Sequence, residues 1–207
     1  MIKILEKLFF KKRFILKWIP DNYSNQIYCK GYKINVLQSL SDIDDLVSKD
    51  TIFFERNRSF LKNLYNVEWR LFTIAEEGKS ELAGYYYALL GNNKPISHDN
   101  FIIMPDDALM CRAFIYPKYR NKGLYKTLIK YSHIYLSKEH RKNIYTIVEK
   151  SNKASLKANL DSGLENDKTN YLIKIFGINI LSIFYQSSRL KLLILGKLFQ
   201  NRIIFKT

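Results

Sequence analysis

The residues best suited to chemistry in this chain lie in one continuous segment, Phe114-Ile115-Tyr116-Pro117-Lys118-Tyr119-Arg120-Asn121-Lys122-Gly123-Leu124-Tyr125. An apolar run is stopped by Pro117 and passes into a basic loop, whose glycine opens a stretch of helical periodicity. Such a loop suits phosphate. Backbone N–H groups at a helix N-terminus lack intrahelical partners and carry partial positive charge. Gly123 lets the backbone come close to an anion, and Arg120 and Lys122 add formal charge, so a pyrophosphate can dock there without a metal. Taken alone, an Arg-x-x-Gly loop is a weak signal, because most basic loops between strand and helix are simply solvated.

Elements must hold that loop in place, and apolar periodicity supplies them. Residues 32–38 alternate as a strand, Ser39 to Ser41 can cap a helix running to Val47, and a second helix is expected over 54–64. Residues 69–75 and 82–89 flank Glu76-Glu77-Gly78-Lys79-Ser80 as a hairpin. After a polar loop at 91–100, a strand over 109–116 leads into the basic loop. Leu124, Leu128, Tyr131 and Tyr135 then mark one face of a helix over 124–136. A strand at 143–148, a helix at 152–160 closed by Gly163, and a β-rich region at 171–185 complete the order β-α-α-β-β-β-α-β-α-β.

Both ends are basic and apolar. At helical period Ile2, Leu5, Phe9 and Leu16 share one face and Lys3, Lys7 and Lys11 another, which describes a basic amphipathic helix. Residues 190–205 have the same character and are too short and too charged to span a membrane. The expected organisation is a basic amphipathic N-terminal extension at 1–28, a main domain at 29–187 and a basic apolar helix or tail at 188–207. The two ends either pack on the protein or lie together on anionic lipid.

With 207 residues the chain suits one ordinary domain with extensions. A net charge of +15 favours anionic partners without choosing among nucleic acid, lipid and phosphorylated small molecules. Two cysteines, Cys29 and Cys111, exclude a disulfide framework and a four-cysteine zinc site and fit a reducing cytoplasm. Cys111 lies within a strand and reads as a small core residue. His98, His133 and His140 have no ligand spacing; the last two are expected in solvent, and no metal is expected.

The segment Ile115-Tyr116-Pro117-Lys118-Tyr119 followed by Arg120-x-x-Gly123 resembles the coenzyme A loop of the GNAT acetyltransferases. Asn152-Lys153-Ala154-Ser155, with Gly163-Leu164 downstream, resembles that family's Asn-x-x-Ser/Ala helix and its closing Gly-Phe. The resemblance covers residues 32–185 as architecture. It implies an α/β GNAT fold: a mixed, mostly antiparallel central sheet, flanked by helices on both faces, whose central strands splay where the cofactor enters.

The implied activity is transfer of an acetyl group from acetyl-CoA (coenzyme A) to an amine by direct attack. Ala113, Phe114 and Ile115 would pair with the pantetheine arm, and an N–H of that strand would stabilise the oxyanion. Arg120, Asn121, Lys122, Gly123, Leu124 and Tyr125 would form the phosphate loop, with Asn152 and Ser155 as further cofactor contacts. Asn152 serves equally well as a helix cap. Tyr125 stands where the family has Gly or Ala, so it either crowds the pyrophosphate or points away. Asn159 falls at the place of a tyrosine that protonates the departing thiolate, a step that an amide cannot perform.

Glu149, at the end of a strand near the expected sheet opening, is the first candidate base; pairing with Lys150 is its alternative role. Asp106 and Asp107 are the other candidates. Tyr85 and Tyr87 alternate with Tyr86 on the strand that in this family approaches the acceptor, and they either line the acceptor cleft or belong to the core. Aromatic walls beside acids suit an amino sugar, and the Gly-Leu-Tyr variant of the loop is similar to members associated with bacterial surface-polysaccharide synthesis. The expected setting is cytoplasmic, with peripheral contact at the inner face of an anionic membrane. The rival readings are an inactive GNAT-fold membrane scaffold and a nucleic-acid-binding protein.

Overall fold

A computed structural model describes residues 10–20, 29–62, 64, 67–93, 95–98, 101–175, 178–186 and 189–194. In chain order its elements begin with β1 (Phe10–Trp18), β2 (Tyr32–Leu37), α1 (Leu40–Lys49), α2 (Thr51–Leu61), β3 (Glu68–Glu76) and β4 (Leu82–Leu90). Two short strands precede β7 (Asp107–Ile115): β5 (Ile96–His98), within the polar loop expected at 91–100, and β6 (Phe101–Ile103), just after it. A 3₁₀ turn over Pro117–Tyr119, α3 (Leu124–Lys138), β8 (Asn143–Glu149) and α4 (Lys153–Leu160) follow, and the chain continues through β9 (Leu164–Ile175), β10 (Ile178–Gln186) and β11 (Arg189–Ile194). The fold is mixed α/β, and the pairs β2–β3, β3–β4, β4–β7, β1–β8, β1–β9, β9–β10 and β10–β11 are all antiparallel.

The chain divides into two compact units. One, Pro20–His98 with Ile102–Ile144, holds β2, β3, β4 and β7 in the order β7-β4-β3-β2. Every residue of β4 is buried, because helices cover both faces of this sheet. On one face, Phe72 and its cross-strand partner Tyr86 meet Tyr131, Tyr135 and Tyr125 of α3 at centroid separations of 5.5–6.3 Å. On the other, Tyr85 and Tyr87 meet Phe53 and Phe60 of α2 at 4.9–6.4 Å. The β-strand period of 2 sends neighbours in Tyr85-Tyr86-Tyr87 to opposite helices.

Local sequence starts these helices where they start. Ser39 and Asp42 form a reciprocal capping box on α1. Asp50 caps α2 by accepting from the Phe53 N–H at 2.8 Å, so the helix begins at Thr51, ahead of the start expected at residue 54. Away from the helix caps, Glu68 accepts from Arg70 and Arg141, and Arg70 also reaches Glu139. Arg141 in turn donates to the carbonyl of Gly91, where a Cβ would lie 1.7 Å from the Met104 carbonyl oxygen.

The other unit comprises Met1–Ile19, Asp99–Phe101 and Tyr145–Thr207. Its strands run in the order β11-β10-β9-β1-β8, and α4 packs on β9. This corrects the expectation of a helix at the N-terminus: Phe10–Trp18 is a strand with neighbours on both sides, Arg13 lying opposite Glu149 on β8 and Asn170 on β9. Phe14, Leu16 and Trp18 alternate at period 2, and Leu16 is fully buried. The helical face that included Leu16 therefore does not exist over this stretch. Residues 1–9, with Ile2, Leu5 and Phe9, lie outside the described residues. Arg189–Ile194 is likewise a strand where a helix was expected, and residues 195–207 lie outside the described residues. No helix among the described residues is long and apolar enough to cross a membrane.

Candidate functional site

The predicted phosphate loop is built by three consecutive backbone decisions. Pro117 ends β7 in a 3₁₀ turn, Asn121 takes a left-handed conformation with φ 61°, and Gly123 takes another with φ 75°. Gly123 is the N-cap of α3 and contributes no side-chain hydrogen bond to the helix start. A Cβ at Gly123 would meet no protein atom within 4 Å, so it is the positive φ that calls for glycine. Arg120, Asn121, Lys122 and Gly123 are exposed, whereas Leu124 is buried as the first anchor of α3. Lys122 Nζ lies 3.4 Å from the Tyr32 hydroxyl, and Arg120 Nε donates to the Ile115 carbonyl at 3.1 Å. The Tyr125 ring packs edge-on against Tyr86 on the sheet at 6.1 Å. It is thus engaged by the core, and the loop's residues fit a pyrophosphate.

Upstream of the loop, β7 is bulged. Tyr85 stands opposite Phe114 and Tyr87 opposite Cys111, so Arg112 and Ala113 together face Tyr86. Arg112 adopts φ 53°, a conformation costing a non-glycine residue about 1 kcal/mol. A bulge leaves one residue out of the ladder and re-aims its neighbours. Burial changes at the same place: Asp107 to Met110 are buried, while Cys111, Ala113, Phe114 and Ile115 are partly exposed. Gly84 faces Ile115 across the ladder, and a Cβ on it would fall 2.7 Å from the Phe114 carbonyl oxygen.

Side chains from α2 close on the bulge. The Arg56 guanidinium sits 3.7 Å from the Phe114 ring centroid and that of Arg120 5.8 Å from it. Arg112 donates to the Arg56 carbonyl at 2.6 Å and to Asn57 Oδ1 at 3.3 Å. Asn57, fully buried, donates to the Tyr85 hydroxyl at 3.0 Å. Tyr116 donates to Asp50 at 2.6 Å, tying the end of β7 to the cap of α2. Burial first, and this bond second, hold its phenol protonated far above the usual range. Tyr85 and Tyr87 are both buried against α2, and the Tyr87 hydroxyl has no hydrogen-bond partner among the described residues. Arg56 and Arg112 were not anticipated, since an isolated arginine on a helix and one inside an apolar strand give no spacing signal.

Glu149, Asn152, Ser155 and Asn159 belong to the other unit. Asn152 caps α4, its side chain accepting from the Ser155 N–H at 3.1 Å. Asn159 is fully buried and donates to the Ser155 carbonyl at 2.8 Å. Asn152, Ser155 and Asn159 are thus joined along one helix. Glu149 is partly exposed and pairs with Lys11 at 2.6 Å, not with Lys150. Asp107 is buried at the opposite end of β7 from Ile115 and accepts from Asn143 at 2.6 Å, while Asp106 is exposed beside it. His133, expected in solvent, is fully buried on α3 with Nδ1 2.6 Å from the Ile129 carbonyl oxygen.

Comparison with known proteins adds the fold class. No known sequence family matches the chain, and no curated protein sequence does. Among solved structures it is similar to a tandem GNAT protein from the clavulanic acid biosynthesis pathway, solved without AcCoA. That match has 15% identity and a TM-score of 0.52 over 75% of this chain and 50% of the other. It is also similar to an acetyltransferase of the GNAT family from Colwellia psychrerythraea, with 13% identity and a TM-score of 0.52 over 79% of this chain and 55% of the other. The chain spans about half the length of these relatives and has the fold of GNAT acetyltransferases.

Proposed function

We propose that this chain is an acyl-CoA-dependent N-acyltransferase that moves an acetyl group from acetyl-CoA to an amine, with an amino sugar as the acceptor class. One observation carries the reading: in a GNAT fold, α3 opens at a left-handed glycine with no side-chain cap, at the end of the basic loop that follows a bulged strand. Acetyl-CoA would supply the activated thioester. The N-terminal N–H groups of α3, with Arg120 and Lys122, would hold its pyrophosphate. The backbone of Ala113 to Ile115 would bind the extended arm, and the bulge at Arg112 keeps ladder groups available beside it.

Asn159 contributes no acid, because its amide is a donor held by Ser155 within α4. A departing thiolate would therefore take its proton from water. Glu149 is the proposed proton acceptor. Its carboxylate is partly exposed and is held in place by Lys11 at 2.6 Å. The test is calorimetric titration with acetyl-CoA, using desulfo-coenzyme A and a short oligonucleotide as controls. Saturable micromolar binding of acetyl-CoA is expected, followed by turnover in an amine screen. Absence of cofactor binding, or tighter binding of the oligonucleotide, would overturn the reading.

A further inference from the structure

The arginines of the Pro20–Ile144 unit divide by their partners. Arg70 and Arg141 are paired with Glu68 and Glu139 at 3.1–3.3 Å. Arg56, Arg58, Arg112 and Arg120 have no carboxylate partner among the described residues; Arg58 lies over the Phe54 ring at 6.0 Å, and Arg56 makes no side-chain hydrogen bond there. In a chain of net charge +15 some arginines must lack a counterion, so this alone carries little. Their convergence carries more. Arg56 and Arg120 both stack on Phe114, and Arg112 is anchored on the backbone of Arg56.

Stacking on a ring occupies the face of a guanidinium and leaves its in-plane N–H donors directed outward, the arrangement that binds carboxylate or phosphate. Arg120 belongs to the phosphate loop through its bond to the Ile115 carbonyl. Arg56 and Arg112 belong instead to the α2 side, the side faced by Tyr85 and Tyr87. There the Arg112 guanidinium lies 4.9 Å from the Phe60 ring, and Phe60 lies 4.9 Å from the Tyr87 ring. The Tyr87 hydroxyl is buried and has no hydrogen-bond partner among the described residues. Burial, and then Tyr85, push its pKa far up, so it stays a donor.

We infer that Arg56 and Arg112 form an anion-recognising subsite for the acceptor, so that the amine carries a carboxylate or phosphate group. The inference rests on the acyltransferase reading for the role of the bound molecule, and on the α2–β7 geometry for its charge. The two guanidiniums hold the anionic end, and the Phe114 ring gives them a fixed platform.

The test is binding to the protein without cofactor, followed by calorimetry or ligand-observed NMR. O-Phosphoethanolamine is compared with ethanolamine, and β-alanine with propylamine, so that the arms separate phosphate from carboxylate. The variants are Arg56→Gln, which keeps the reach, and Arg112→Asn, which tolerates the left-handed backbone and so preserves the bulge. At least one anionic amine should bind the wild type about tenfold tighter than its neutral counterpart, and each variant should erase that preference, Arg56→Gln while leaving acetyl-CoA affinity unchanged. No preference in the wild type, a preference surviving both substitutions, or loss of acetyl-CoA binding in Arg56→Gln would each overturn the subsite. Anionic preference without any acetyl-CoA binding would keep the subsite and sink the acyltransferase reading. Acetyl-CoA binding with no anionic preference would do the reverse.

Discussion

Gly123 combines a backbone requirement with an exposed position at the start of α3, which makes it the sharpest single-residue test of the phosphate loop. At a φ of 75° an aspartate is tolerated at a cost of about 1 kcal/mol, so Gly123→Asp should keep the far-ultraviolet spectrum and lower the melting temperature only slightly. Its carboxylate would compete for the same N–H groups and repel phosphate, so acetyl-CoA affinity should fall by at least about tenfold. Affinity like that of the wild type would show that the loop serves something else. His133 tests the core. Burial holds its pKa at about 4, against 6.5 for an ordinary histidine. Between these values the unfolded chain binds the extra proton and the folded protein does not, so stability is full above pH 6.5 and falls as pH drops toward 4, by about 3 kcal/mol in all. In denaturant titrations across this range, His133→Leu should lose most of that slope; an unchanged slope would assign it to carboxylates. Gly123, Arg120 and Asn152 were legible because loops and caps are local chemistry. His133 was not, because its burial depends on which face of α3 meets the sheet. Arg56 and Arg112 were not, because their meeting is made by tertiary packing.

The elements with strong local signals stand where sequence periodicity puts them: the hairpin of β3 and β4, α1 with its capping box, α3, β8 and α4. The misses have a common cause. Phe10–Trp18 mixes lysines with aromatics so that both a helical stripe and a period of 2 can be traced, and a strand between two neighbours is chosen by pairing partners far away in sequence. At the level of packing between strands, Gly84 gives the clearest prediction. Its absent side chain lets β4 approach β7 beside the bulge, and a methyl there would meet the Phe114 carbonyl oxygen, a backbone atom that cannot swing aside. Gly84→Ala should therefore displace the Phe114–Ile115 segment and weaken acetyl-CoA binding several-fold, with a lower melting temperature. Unchanged affinity would separate that segment from the cofactor.

Across the whole molecule the charge of +15 sets a field that draws polyanions toward any site. Acetyl-CoA should then associate more slowly as salt rises from low to about half molar, with its dissociation rate little changed, because long-range steering is screened while contacts at the loop persist. Stopped-flow titration at several salt concentrations checks this, and a flat association rate would place the positive charge away from the entry route.

The placement of β1 has a consequence for biosynthesis. Its hydrogen-bonding partners, β8 and β9, are the segments Asn143–Glu149 and Leu164–Ile175, so a strand that leaves the ribosome early must wait for most of the chain before its backbone is satisfied. During that interval a basic, aromatic strand with two open edges is available to any holdase. Its two partners emerge in turn, β8 before β9, so the second unit closes only after the strands of the first have been made.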